Sequence, residues 1–383
     1  MSALRFILLI IFTAFLAASC NFNTSKAVPE VKVKEPYRVP YDTLTDDLAG
    51  FISGTSHGKS GCIGGLDTLT RWAKFSFTMD SGFSELDTSR FIMMNNWADA
   101  ELKNRYDSTT LFYPFGGPDI LNANIFYPNA KEYILFGLEP VGMLPELCKM
   151  TTEQVNKYLD DVWYSLKDIF KRSYFITGNM IDALKKNSVN GAIPVISLFL
   201  KRNGYHIVSL NLIGVDSTGK WQKADLLTGK KGITGGVRIE FAGDTGKRVQ
   251  SVFFFQTDIS DEGLKKNNGF RKYLSDLNGC HTYIKAASYL MHGNDFSMIR
   301  NIVFEKSNTI LQDDSGIAYK LFDKNRWDIH LYGRYQRPGK EFSWINETDL
   351  AYAYQDTSIK TVPFTLGYNW RTTAINLLYA VKK

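Results

Sequence analysis

Apolar positions recur at helical spacing through Val155, Tyr158, Leu159, Val162, Trp163, Leu166, Ile169 and Phe170, while Lys157, Asp160, Asp161, Lys167 and Asp168 take the opposite side. That pattern predicts a surface helix packed on a core. Thr151 and Gln154 stand at capping-box spacing and set its start. A shorter helix is predicted over Thr45–Ile52, with Leu48, Phe51 and Ile52 on one side, closed by Gly54 and followed by a Gly-rich loop to Gly65. Two more are predicted over Asp261–Leu277 and Asp295–Lys306, each opening on an acidic residue able to cap free N–H groups. Asn278-Gly279 supplies a stop for the first of these.

Elsewhere the period shortens to two. Arg326 to Gln336 alternates, with Trp327, Ile329, Leu331, Gly333 and Tyr335 on one side and charged or polar groups between them, which predicts a strand with one wet face. Val249–Phe255 is a continuous apolar run and predicts a central strand. Tyr205–Val215 and Trp221–Leu227 flank Asp216-Ser-Thr-Gly219 as a hairpin does. Tyr133–Leu138 and Asn376–Val381 complete the set. Helices and strands are interspersed without a regular βαβ rhythm. The expected class is therefore α+β, a mostly antiparallel or mixed sheet packed with amphipathic helices.

The first residues follow a different pattern. Met1–Arg5 carries one positive charge, Phe6–Leu16 is apolar, and small residues lead through Ala17-Ala-Ser to Cys20. Such a run is a secretory signal and not a span, which needs about 20 apolar residues. A cysteine directly after Ala-Ser resembles the bacterial lipobox, although Ala17 stands where leucine is usual. The alternatives are an exported protein cut nearby or an uncleaved anchor. The reading taken is a signal peptide over residues 1–19, lipidation (palmitate and a diacylglycerol) at Cys20, a tether over 20–42, and one large α+β domain over 43–383. Three prolines and mixed charges suit an extended tether, reaching roughly 65 Å at about 3.3 Å per residue. Asn21 is not the aspartate of inner-membrane retention, so the expected address is the outer membrane, facing the periplasm or the cell surface.

Composition adds little to this. Removing residues 1–19 takes away only Arg5 and lowers the formal net charge from +6 to +5. No Lys/Arg run is present, which excludes a nucleic-acid surface of the usual kind. Aromatic residues make up 14% of the chain, a level that suits a β-rich core or a carbohydrate-facing surface. Cys62, Cys148 and Cys280 allow three pairings, and three reduced, buried thiols are an equal alternative. No cofactor motif and no metal motif is present. Cys280-His281 with His292 is the nearest approach to a ligand set, and its spacing favours a structural role. Gly54-Thr-Ser-His-Gly58 matches G-x-S-x-G but follows a helix, so a flexible loop is the better reading.

Chemistry concentrates in Thr110–Pro128 and Tyr133–Gly142. Asp119 emerges from a Gly-Gly-Pro turn and Glu139 closes an apolar strand, a delivery that suits paired acid/base carboxylates. Tyr113 and Phe115 beside Asp119 form a candidate aromatic binding cleft. The plain alternative is that Asp119 caps a short helix over Ile120–Asn124, the aromatics are core, and Glu139 pairs with a base. Asp313 and Asp314 are a second candidate pair, with a turn as the alternative, and His292 completes the catalytic candidates. The enzyme reading loses its support if Asp119, Glu139, His292 and Asp313 all lie more than about 15 Å apart.

Phe112-Tyr-Pro-Phe-Gly-Gly-Pro-Asp119, Phe136-Gly-Leu-Glu-Pro-Val-Gly142, Leu311-Gln-Asp-Asp-Ser-Gly316 and Pro363-Phe-Thr-Leu-Gly-Tyr368 resemble segments of a group of uncharacterised bacterial exported proteins. The resemblance runs from about Thr43 to the C-terminus and implies one integrated domain, with no catalytic residue carried over. Three functional expectations follow: a binding or accessory lipoprotein, an extracytoplasmic hydrolase, or a non-catalytic envelope scaffold. Their partners are the membrane through Cys20 and a small molecule, a glycan or an envelope protein.

Overall fold

The computed structural model describes residues 39–56, 58–172, 174, 188–229, 231–244, 246, 248–369 and 375–383. Cys20, the signal segment and most of the tether lie outside the described residues, as does His57. From Val39 onward the described residues belong to one compact unit.

Ten strands form one mixed sheet: β1 (Thr110–Tyr113), β2 (Glu132–Gly137), β3 (Tyr205–Val215), β4 (Trp221–Lys223), β5 (Thr234–Gly243), β6 (Val249–Gln256), β7 (Cys280–Ile284), β8 (Ser307–Gln312), β9 (Trp327–Gly333) and β10 (Asn376–Lys382). Their order is β4-β3-β5-β6-β2-β1-β7-β8-β10-β9. The α+β class with a mixed sheet holds. Five of the nine pairings are antiparallel, but the central run β6-β2-β1-β7-β8 is parallel throughout. This parallel core, built from βαβ connections, was not foreseen from the pattern.

Alternation within the central strands separates two faces. Leu111, Tyr113, Tyr133, Leu135, Val252, Phe254 and Tyr283 join one apolar cluster, while Phe112, Ile134, Phe136, Phe253, Phe255 and Ile284 join the other. The first face is covered by α1 (Thr43–Ser53), α2 (Trp72–Leu86), α3 (Ile92–Glu101), α4 (Ile120–Phe126), α5 (Thr152–Arg172) and α6 (Ala192–Arg202). The second is covered by α7 (Asp261–Lys266), α8 (Asn268–Ser275) and α9 (Ser297–Lys306). Helices on both faces are what a parallel core demands, because its strands are apolar on both sides.

The end signals are specific. The Thr151 box closes in both directions, with Thr151 N donating to Gln154 Oε1 at 2.8 Å and Gln154 N to Thr151 Oγ1 at 3.3 Å. The helix expected over Asp261–Leu277 is broken at Asn267, and its cap is Ser260, which accepts from Gly263 N. Asp261 instead accepts from Met298 N at 2.8 Å and from Ser297 Oγ at 2.6 Å, so it caps α9 from a distance. Asp295 lies outside that helix.

Cys62 and Cys148 form a disulfide across 86 positions, and Cys280 is a buried thiol. At the sheet margins, β4 is only three residues long. On the far side Gly333 N, at the end of β9, is engaged by Lys360 O at 2.7 Å. Among the described residues no helix is long and apolar enough to cross a membrane.

Candidate functional site

β1 leads through α4 to β2 on one side, whereas β7 leads through α9 to β8 on the other, and the two helices lie on opposite faces. The neighbours β1 and β7 therefore mark a topological switch point. In open sheets the crevice beyond the carboxyl ends of such strands is where ligands bind.

The residues that follow those strand ends are polar and buried. After β1, the Gly116-Gly117-Pro118 turn delivers Asp119, whose carboxylate accepts from Asn122 N at 3.1 Å and so caps α4. It also accepts from Tyr113 OH at 3.0 Å. After β7 comes Lys285, whose ammonium donates to Asp119 Oδ2 at 2.6 Å across the switch point, with both side chains 2% exposed. Burial pushes the Lys285 ammonium downward, and Asp119 opposes that shift.

After β8 come Asp313 and Asp314. Asp313 accepts from Ala286 N at 2.9 Å, from Ser315 N at 3.1 Å and from Ser315 Oγ. Asp314 accepts from Tyr289 OH at 2.9 Å. Burial, with the adjacent Asp313 charge, raises the Asp314 carboxyl to about 7. Burial raises Asp313 as well. His292 Nε2 sits 3.2 Å from Asp314 O, and its Nδ1 faces Glu347 Oε1 at 3.7 Å. Burial lowers His292 to about 4 and raises Glu347 to about 7.

Glu139 follows β2. Its carboxylate folds back over Gly137 and Gly117, near its own N–H and that of Leu138, while Oε2 has no hydrogen-bond partner. Burial raises this acid too. A side chain at Gly137 would run into Glu139 Oε2, so the two residues are matched.

The segment after β7 is strained. Ala286, Ser288 and Tyr289 adopt φ of 50°, 53° and 57°, the left-handed region that costs non-glycine residues about 1–2 kcal/mol each. It is held by Asp313 on Ala286 N, by Ser315 Oγ on Ala287 N at 2.8 Å, and by Tyr368, whose hydroxyl accepts from Ser288 N at 3.2 Å and donates to Ala286 O at 2.9 Å. Strain of this kind persists only where surroundings over-determine it, and it collects at functional sites.

No family model, curated protein or solved structure matches this chain.

The structure thus gathers Asp119, Glu139, Asp313, Asp314 and His292 at the carboxyl end of one parallel sheet, although they come from separate parts of the chain. Asp119 caps a helix, as its plain alternative had it, and it also faces a buried cation. Tyr113 is buried, its hydroxyl spent on Asp119 and its ring 4.6 Å from that of Tyr283. It does not present an open stacking platform. Phe115 turns through a positive φ of 63° and packs on Phe296 at 5.6 Å. Sequence reasoning missed Lys285, Ser315, Tyr289, Glu347 and Arg90. Arg90 had a usable signal: it stands in the stripe Leu86, Arg90, Met94, Trp97, a charge on an otherwise apolar helical face.

Proposed function

We propose that this chain is a lipid-anchored protein of the cell envelope whose working site is the polar cluster at the carboxyl ends of β1, β2, β7 and β8, and that the site performs hydrolysis by acid/base chemistry. One observation carries the reading: Asp119 and Lys285 meet across the switch point beside the Asp313/Asp314 pair. Hydrolysis needs a group that gives a proton to the departing atom and one that takes a proton from water. Asp314, raised to about 7, is suited to donate near neutral pH. Asp119, fixed by Lys285, Tyr113 and Asn122, is suited to hold and orient the attacking water. The Cys62–Cys148 disulfide supports an oxidising compartment.

The test assays the mature protein against chromogenic glycosides, esters and anilides, beside Asp119→Asn and Asp314→Asn with folding checked by circular dichroism. Turnover of one class, reduced about 100-fold or more in both variants, is the expected result. Turnover untouched by either substitution removes these carboxylates from the chemistry.

A second reading, binding without turnover, is favoured by Asp313. Its carboxylate is occupied by two backbone N–H groups and the Ser315 hydroxyl, the arrangement of a brace. Ligand binding that survives in Asp314→Asn, with no turnover in any class, supports this reading.

A further inference from the structure

Arg90 stands apart from the buried cations Lys285 and Arg105. It is 6% exposed and is presented by a π-helical turn over Asp87–Phe91, in which Ile92 N reaches back to Asp87 O. Such turns are rare and are frequent at functional sites. Its neighbours in kind are neutralised: Lys285 lies on Asp119, and Arg105 on Asp99 at 2.8 Å. Among the described residues, Arg90 meets no carboxylate at ion-pair distance. Its guanidinium makes one long hydrogen bond, 3.5 Å to Ile169 O, and its Nε has no partner.

Burying a guanidinium without an anion is costly, so a purely structural arginine is normally paired. Arg90 instead lies within the field of the cluster, where Asp119 favours its charge and its own charge opposes that of Lys285. Asp119 and Asp313 both support the Lys285 charge, whereas Arg90 has only the field of Asp119. Tyr283, whose ring packs on that of Tyr113 at 4.6 Å, also keeps an unspent hydroxyl donor beside Asp119. A planar guanidinium offers parallel N–H donors that match the two oxygens of a carboxylate or a phosphate.

We propose that Arg90 receives an oxyanion, carboxylate or phosphate, carried by the molecule on which the cluster acts. The inference rests on the cluster being the working site, but it does not need turnover. It adds a substrate class: small molecules bearing a terminal negative charge, seated with that charge on Arg90 and the remainder toward Asp119 and Lys285.

Thermal melting of the mature protein tests this in inorganic phosphate and in malonate, each at ionic strength matched with chloride. Both anions stabilise proteins generally by exclusion from surfaces, so the quantity read is the difference between wild type and Arg90→Met. The wild-type Tm is expected to rise and saturate in at least one anion, and the comparison of the two identifies phosphate or carboxylate as the recognised group. Arg90→Met is expected to melt at or above wild type in chloride, having lost an unpaired buried charge, and to show at least tenfold weaker apparent anion binding. Arg90→Lys keeps the charge without the fork. It serves if the methionine variant fails to fold, with the same loss of anion response expected. A wild type without a saturable rise overturns the proposal, as does a variant that keeps the rise. Arg90→Met folding but melting far below wild type in chloride also overturns it, by making Arg90 a brace. An anion response in wild type alongside absent turnover would defeat the hydrolase reading and leave the anion seat standing.

Discussion

The titratable groups around Asp314 set a stability signature of their own. Asp314 and Glu347 hold protons to about 7, whereas the same groups in an unfolded chain release them near 3.8 and 4.5. The folded state therefore binds the extra protons, and the stability these carboxyls contribute is present below about 4 and lost as pH climbs toward 7. His292 works in the opposite sense. Lowered from 6.5 to about 4, it favours folding above its unfolded value and loses that contribution as pH falls toward 4. Two carboxyls outweigh one imidazole, so this corner of the molecule weakens as pH rises from about 4 to about 7. Urea midpoints measured between those limits should fall less steeply with pH in Asp314→Asn than in wild type. An unchanged slope in the variant would mean that Asp314 is an ordinary carboxylate in the fold.

At the level of elements, the turn after β7 is the feature most open to manipulation. Ala286 has no side-chain hydrogen bond to lose, and glycine accepts φ of 50° without the left-handed penalty. Glycine's extra freedom in the unfolded chain takes back about 0.5–1 kcal/mol. Ala286→Gly should therefore be neutral or stabilising by up to about 1 kcal/mol, while Ala286→Val, with a β-branched residue at positive φ, should be clearly destabilising. Denaturant midpoints for the pair decide this. Equal losses in both variants would assign the effect to the lost methyl contact and not to the backbone angle.

Legibility of the elements followed the same physics. Helices α1 and α5 were readable because one face of each is apolar and the ends carry caps, and strands β6 and β10 because each is a short run apolar on both faces. β7 was hidden because its interior positions are polar and partly bonded to the neighbouring strand. His281 Nδ1 lies 2.7 Å from Thr309 Oγ1, and Thr282 Oγ1 lies 2.6 Å from Ser307 Oγ. A polar ladder between β7 and β8 erases the alternation that marks a strand, and with it the position of Lys285 at the strand's end. The region of α2 and α3 was missed for a different reason. The π-helical turn between them inserts extra backbone and places the charge of Arg90 in the stripe, so no unbroken apolar face runs from α2 into α3. In α6 nothing charged marks a face before Lys201, and every residue from Ala192 to Leu200, Ser197 included, is buried. Asp119 and Glu139 were legible because strand-to-turn junctions are visible in glycine and proline. Their company was not, since Lys285 and Arg90 reach the site from distant segments.

For the whole molecule, the proposed placement depends on Cys20. Metabolic labelling with palmitate should mark the full-length chain and carry it into the membrane fraction, and Cys20→Ser should abolish both. Label retained by the serine variant, or a mature chain beginning elsewhere, would remove the anchor. Held to a surface in that way, copies of one protein meet at far higher local density than in solution, and exposed strand margins are where identical chains zip together. Here one margin is β4, a three-residue strand, and at the other the end of β9 is already engaged by Lys360. Pairing between neighbouring copies is thus blunted at β4 and at the end of β9.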